Sequence, residues 1–151
     1  MNENDFSDID HHCSTVLLVT KDGRMIGQLR DNKPDIDSPG KIGIFGGSVE
    51  DNETYLHAAW RELVLEETNL KFDEKDLTLF LEDKAWRQLT SEWEVRHIYY
   101  VKITDEQLSN LEVYEGQGWA VIKGDQDPQL AEVIRPAIKY FTENVLKESR
   151  L

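Results

Sequence analysis

Between Gly46 and Leu70 the chain reads GGSVEDNETYLHAAWRELVLEETNL, and this stretch constrains the fold more tightly than any other. Two glycines open it, an acidic turn with Glu50, Asp51 and Glu53 follows, and a segment of helical length closes it. On a helical wheel of about 100° per residue, Leu56, Ala59, Trp60, Leu63, Val64 and Leu70 share one broad arc, the face expected to pack on a sheet. Glu66 falls about 40° from Glu62, so these two carboxylates point to the opposite edge and can share a cation. Glu67 falls inside the apolar arc of a regular helix, where an unpaired carboxylate is costly. The helix is therefore expected to be irregular there, or frayed at its end.

The flanking sequence reads as strands. Cys13 to Thr20 (CSTVLLVT) and Arg24 to Arg30 (RMIGQLR) enclose the turn Lys21-Asp22-Gly23 and form a hairpin pattern. Asp31 to Gly40 is loop chemistry, and Lys41 to Phe45 is a short strand that delivers the chain to Gly46. Leu77 to Leu81 and Trp93 to Ile103 read as strands, with Glu82 to Glu92 as a hairpin arm carrying Lys84, Trp86 and Arg87. Asp105 to Leu111 allows one helical turn, and Trp119 to Ile122 is a strand behind the loop Tyr114 to Gly118. Asp127-Pro128 is expected to open a last helix reaching about Lys147, which Pro136 should kink or split near Ile134. Strands on both sides of one helix, with a helix at the end, argue an α/β fold with a mixed sheet packed between helices. Residues 1–12 lack hydrophobic periodicity and are expected to be a flexible tail, leaving 13–151 as a single domain.

At 151 residues the chain is large enough for one real hydrophobic core. Its net charge of −13 argues against a nucleic-acid polymer as partner, because phosphate contacts need clustered Lys and Arg. A small polyphosphate substrate is compatible with that charge when a divalent cation brings it in, the carboxylates then acting as ligands. No apolar run approaches the ~20 residues that span a bilayer, so no membrane is expected. The start MNENDFSDID is neither a secretory signal nor a transit peptide, and the single cysteine, Cys13, suits the reducing cytoplasm.

The central stretch resembles a Nudix box. That pattern runs Gly, five residues, Glu, seven residues, Arg-Glu-aliphatic, one residue, Glu-Glu, one residue, Gly-aliphatic. Gly47, Glu53, Arg61, Glu62 and Leu63 match in spacing, but both Val64 and Leu65 precede Glu66-Glu67, and Asn69 stands in the glycine slot. Without a gap, Leu65 replaces the first carboxylate of the pair. With one inserted residue, Glu66-Glu67-Thr68-Asn69-Leu70 matches the whole tail. The insertion is the better reading: a π-bulge absorbs an extra residue and turns Glu67 toward the edge that carries Glu62. Asn is also the best non-glycine residue for a left-handed helix end. QLRD at Gln28–Asp31, the turn Pro39-Gly40, FGG at Phe45–Gly47 and EGQG at Glu115–Gly118 resemble a bacterial Nudix subgroup in the expected order.

The resemblance implies an α/β/α sandwich that hydrolyses a nucleoside diphosphate linked to another moiety, with Mg²⁺ or Mn²⁺ as cofactor. It implies Glu62, Glu66 and Glu67 as metal ligands with the Gly46 carbonyl, and Glu53 paired to Arg61 to lock the loop on the helix. Glu115 is the candidate general base and a further ligand, with Glu112, Glu92 and Glu94 as rivals. Arg30 is the candidate phosphate contact, although Arg30, Arg87 and Arg96 could each be surface ion pairs. Trp86, Trp93 and Trp119 could stack a base, although aromatic residues in strands are more often core. His97, beside Ile98 and Tyr99, reads as structural. The implied partner is a small nucleotide and the implied assembly a monomer or homodimer. The competing function is a Nudix-fold sensor that binds a nucleotide without cleaving it.

Overall fold

The strand His11–Thr20 (β1) is the spine of the sheet. Val16 and Leu18 pack into one apolar cluster and Leu17 and Val19 into another, all four buried. A strand covered on both faces has to be apolar without interruption, which is what VLLV supplies. The computed structural model describes residue 6 and residues 8–147.

Every rung of β1 from His11 to Thr20 pairs in parallel with Glu92–Ile103 (β6), His11 lying opposite Glu94 and Thr20 opposite Ile103. The other edge of β1 is shared between two antiparallel partners. Leu18 and Val19 pair with Met25–Leu29 (β2), and Cys13 to Val16 pair with Phe45–Ser48 (β4), which follows the short strand Ile42–Gly43 (β3). Thr78–Arg87 (β5) forms the expected hairpin arm with β6, and Gly118–Ile122 (β7) pairs with β2. The result is a mixed seven-stranded sheet.

Helices cover both faces. Tyr55–Trp60 (α1) starts on Thr54, whose hydroxyl accepts the His57 N–H at 3.1 Å, and runs directly into the π-helical segment Arg61–Glu67. Ala59, Leu63 and Val64 of this rod pack on Val16, Leu18 and Phe45, and Leu108 of Asp105–Ser109 (α2) joins the same cluster. Arg135–Phe141 (α3), prolonged by a second π-helical segment Thr142–Leu146, places Ala137, Ile138 and Phe141 against Leu17 and Val19. Phe141 is 1% exposed, so its loss would cost about 3–5 kcal/mol of stability. The architecture is an α/β/α sandwich with a mixed sheet. No helix among the described residues is long and apolar enough to cross a membrane.

Two expectations need correction. The ordered strand begins at His11, not Cys13, because β6 offers pairing partners to His11 and His12 in Glu94 and Val95. Residues 1–5 and 7 of the expected tail lie outside the described residues. The last helix does not open at Asp127. Asp127 instead accepts the N–H groups of Lys123 and Gln129, both at 3.0 Å, and caps a turn. The chain then pairs with β3, Ile42 donating to Gln129 O at 2.8 Å and accepting from Ala131 N at 2.9 Å. Helical structure starts with a 3₁₀ turn at Glu132–Ile134, and Pro136 sits in the first turn of α3, which puts the expected break near Ile134.

Candidate metal and catalytic site

Gly46 and Gly47 lie inside β4 against two close neighbours. A Cβ on Gly46 would strike the Ser14 carbonyl and the Thr15 backbone of β1, and one on Gly47 would fall onto the Glu62 carboxylate. The two glycines therefore let the strand lie flat on β1 while the box helix lays a carboxylate over it. The Gly46 N–H donates to Glu67 Oε2 at 2.7 Å.

Arg61 ties the acidic turn to the helix. Its Nε and Nη2 donate to the two Glu53 oxygens at 2.7 and 3.0 Å, a bidentate fork, and Nη2 also donates to Ser48 O at 3.1 Å. The guanidinium holds the Glu53 carboxyl down to about 2. Nη1 reaches Glu62 Oε1 at 3.1 Å and Glu66 Oε2 at 2.6 Å.

The extra residue is absorbed as a widened helical turn. Residues Arg61–Glu67 are π-helical, and the Thr68 N–H donates to Leu63 O, five residues back, at 3.1 Å. Leu65 is 60% exposed, while Glu67 is 2% exposed, faces the Gly46 N–H and has its carboxyl within hydrogen-bonding reach of Glu115. Burial, then the Glu115 contact, push the Glu67 carboxyl up to about 9. Burial and the neighbouring Glu66 raise Glu62 to about 7 against the pull of Arg61. The reading of Asn69 as a left-handed cap was wrong. The helix ends on Thr68 in an extended conformation, φ −140° and ψ 170°, and Asn69 is not among the non-glycine residues with positive φ.

The loop bearing Glu115 is laid on the end of β2. Gln28 Nε2 donates to Glu115 O at 3.0 Å, Gln117 N donates to Leu29 O at 2.8 Å, and Gln117 Nε2 donates to Arg30 O at 2.7 Å. Gly116 (φ +81°) is required here, since a Cβ would meet the Leu29 carbonyl. Among the rivals, Glu92 pairs with Arg87, Glu94 with His11, and Glu112 lies beside Tyr114. Glu115 is the one brought to Glu67. Gln28 carried no role in the sequence reading; its signal was only its place in QLRD.

Two carboxylates thus meet the glycines, Glu62 over Gly47 with Glu66 beside it, and Glu67 at Gly46 with Glu115 beside it. Among the described residues no three His, Cys, Asp or Glu close into a ready-made metal cage. The donor set nevertheless suits a hard divalent cation: it is all oxygen, and burial and neighbouring carboxylates raise the Glu62 and Glu67 carboxyls, a cost that a bound cation would offset.

No protein-family model matches the chain, and no curated protein matches it. Solved structures do. A MutT protein from Methanosarcina mazei Go1 matches with TM-score 0.68 at 16% identity, over 93% of this chain and 99% of that one. A MutT NUDIX hydrolase from Burkholderia pseudomallei matches with TM-score 0.66 at 22% identity, over 86% and 96%. The fold is that of the Nudix hydrolases. A bifunctional NMN adenylyltransferase/ADP ribose pyrophosphatase from Francisella tularensis, complexed with AMP and a manganese ion, matches with TM-score 0.56 at 17% identity. That match covers 93% of this chain and 42% of the larger protein.

In this Nudix fold a cavity of about 300 Å³ opens beside Gly46, Gly47 and Ser48. Ile44, Ala131, Val133 and Ile134 give it an apolar wall. Asp37 and Ser38 of the loop after β2, and Ala85 to Gln88 of the hairpin arm, line it as well. Three arginines reach it in different states. Arg96 is bound bidentately by Asp83 at 2.8 and 2.7 Å, and Arg87 is shared among Asp37, Glu92 and Glu94. Arg30 spends its Nε on Asp37 O at 2.8 Å, and among the described residues its terminal nitrogens have no hydrogen-bond partner. Trp86 borders the cavity and packs edge-to-face on Trp93 at 5.3 Å, while Trp93 and Trp119 do not line it. His97 is buried and stacked on Tyr55 at 3.5 Å, with Glu82 beside it.

Proposed function

We propose that the chain is a divalent-metal-dependent pyrophosphohydrolase acting on a small nucleotide in which a nucleoside diphosphate is linked to another moiety. The observation that carries this reading is the pairing of Glu62 with Glu66 and of Glu67 with Glu115 over Gly46 and Gly47 of β4, beside a cavity that Arg30 lines.

In this reading Glu62, Glu66, Glu67 and Glu115, with the Gly46 carbonyl, would hold Mg²⁺ or Mn²⁺, which would supply charge neutralisation at the phosphates and activation of water. Glu115 is exposed and can take the proton of the attacking water, whereas Glu67 is buried and its carboxyl faces the Gly46 N–H. Arg30 offers its free fork to the phosphates. Arg61 and Glu53 keep the acidic turn closed on the helix and touch no reacting atom.

The test is a turnover screen over nucleoside triphosphates, nucleotide sugars, ADP-ribose, dinucleoside polyphosphates and oxidised nucleotides, with Mg²⁺ and with Mn²⁺. Thermal shifts are read on the same panel. Metal-dependent cleavage of one class supports the reading. Thermal stabilisation by a nucleotide with no turnover of any compound overturns it in favour of a sensor.

A further inference from the structure

Asn69 departs from the box, which has glycine there, and the structure shows its side chain at work. Its Nδ2 donates to Asn110 O at 2.8 Å and its Oδ1 accepts the Glu112 N–H at 2.9 Å. Its own backbone N–H donates to Glu112 O at 3.2 Å. The amide group thus stands in for a peptide unit against Asn110 to Glu112. The strip continues inward: Thr68 bridges Val113 in antiparallel fashion, and the Tyr114 N–H donates to Glu67 O at 2.7 Å. The next residue is Glu115, whose carboxyl meets that of Glu67. From its other side the same residue is held by Gln28 at its carbonyl.

We infer that Asn69 is a positioning residue that registers the Glu112–Glu115 segment onto the end of the box helix and so aims Glu115 at the metal-binding carboxylates. The inference rests on the hydrolase reading for its kinetic consequence, but the clamp itself is independent of it. Glycine in this slot has no amide to offer. Aspartate has the same shape, yet it turns a second oxygen toward the Asn110 carbonyl and loses the donor.

The experiment compares Asn69→Gly, Asn69→Asp, Glu115→Gln and the double variant Asn69→Gly/Glu115→Gln in full-length protein. Both Asn69 variants are expected to lose about 10- to 100-fold in kcat with KM near that of wild type. The double variant is expected to be no slower than Glu115→Gln alone, because the clamp acts through that residue. Hydrogen exchange of the Glu112 amide is expected to speed up in both Asn69 variants. Wild-type kcat in Asn69→Asp, or a loss that multiplies in full with Glu115→Gln, overturns the inference and leaves Asn69 a space-filling residue. Should wild type cleave nothing, the hydrolase reading fails and the inference is judged by Mn²⁺ titration followed by NMR. Paramagnetic broadening at Glu115 in wild type that weakens in Asn69→Gly supports it; equal broadening, or none in either protein, overturns it.

Discussion

The carboxylate of Glu62 lies where a side chain on Gly47 would have to be. Gly47 of β4 is therefore a vacancy filled from the helix, and the two positions form one unit. Gly47→Ala is expected to push the Glu62 carboxylate aside and destabilise the protein by about 1 kcal/mol, the low end for overpacking, because the atoms it meets are the end of a flexible side chain. Combining it with Glu62→Ala should restore much of that stability without restoring activity. Chemical denaturation of the single and double variants measures the coupling; additive losses would mean that the two sites do not share the space.

The raised carboxyls make stability of the metal-free protein depend on pH in an unusual direction. Glu67 is pushed to about 9 and Glu62 to about 7, both above an unfolded glutamate at ~4.3. The native state thus binds the extra protons. The stability they represent is complete below the unfolded value and is lost as pH rises through 7 and then 9. In EDTA, Tm is expected to fall from pH 5 to pH 9, with Glu67→Gln flattening the upper part of the curve. Mg²⁺ is expected to restore most Tm at the alkaline end, where the ligands are most readily ionised. Calorimetry across this range checks the sign; an unchanged slope in Glu67→Gln would contradict it.

Arg61 and Glu53 behave in the opposite sense. Glu53 is held down to about 2, so its contribution is present above the unfolded value and disappears only in strong acid. Arg61→Ala removes the charge-assisted fork on Glu53 at the half-buried edge of the helix and is expected to cost about 1.5–3 kcal/mol. Arg61→Lys should recover only part of this, since an ammonium cannot span both Glu53 oxygens and Ser48 O. Denaturant midpoints of the two variants decide; equal stability of Arg61→Lys and wild type would refute the fork.

Local pattern made most of these features legible. An uninterrupted apolar run gave β1, the helical arc gave the packing side of α1, and the misfit of Glu67 with that arc pointed to the widened turn found at Arg61–Glu67. Where pairing is non-local, the sequence was silent. His11 and His12 join β1 only because a parallel partner more than eighty residues away is there to receive them. Asp127 looked like a helix start because the same side chain that caps a helix also caps a turn. Asn69 was assigned to backbone conformation, whereas its effect runs through the side-chain amide to residues 110 and 112. The cavity likewise joins Gly46 and Gly47 of the box to walls from β1, the loop after β2, the β5–β6 hairpin and residues 131–134, which only the folded sheet brings together.

The central claim is that the widened turn puts both Glu66 and Glu67 to use in metal-dependent cleavage. The measurement that tests it most directly is turnover of the best nucleotide found, in Mg²⁺ or Mn²⁺ and in EDTA, by wild type, Glu66→Gln and Glu67→Gln. The account predicts metal-dependent turnover in wild type and a loss of about 100-fold or more in each variant. Near-normal turnover in Glu67→Gln, with only Glu66→Gln inactive, would contradict it.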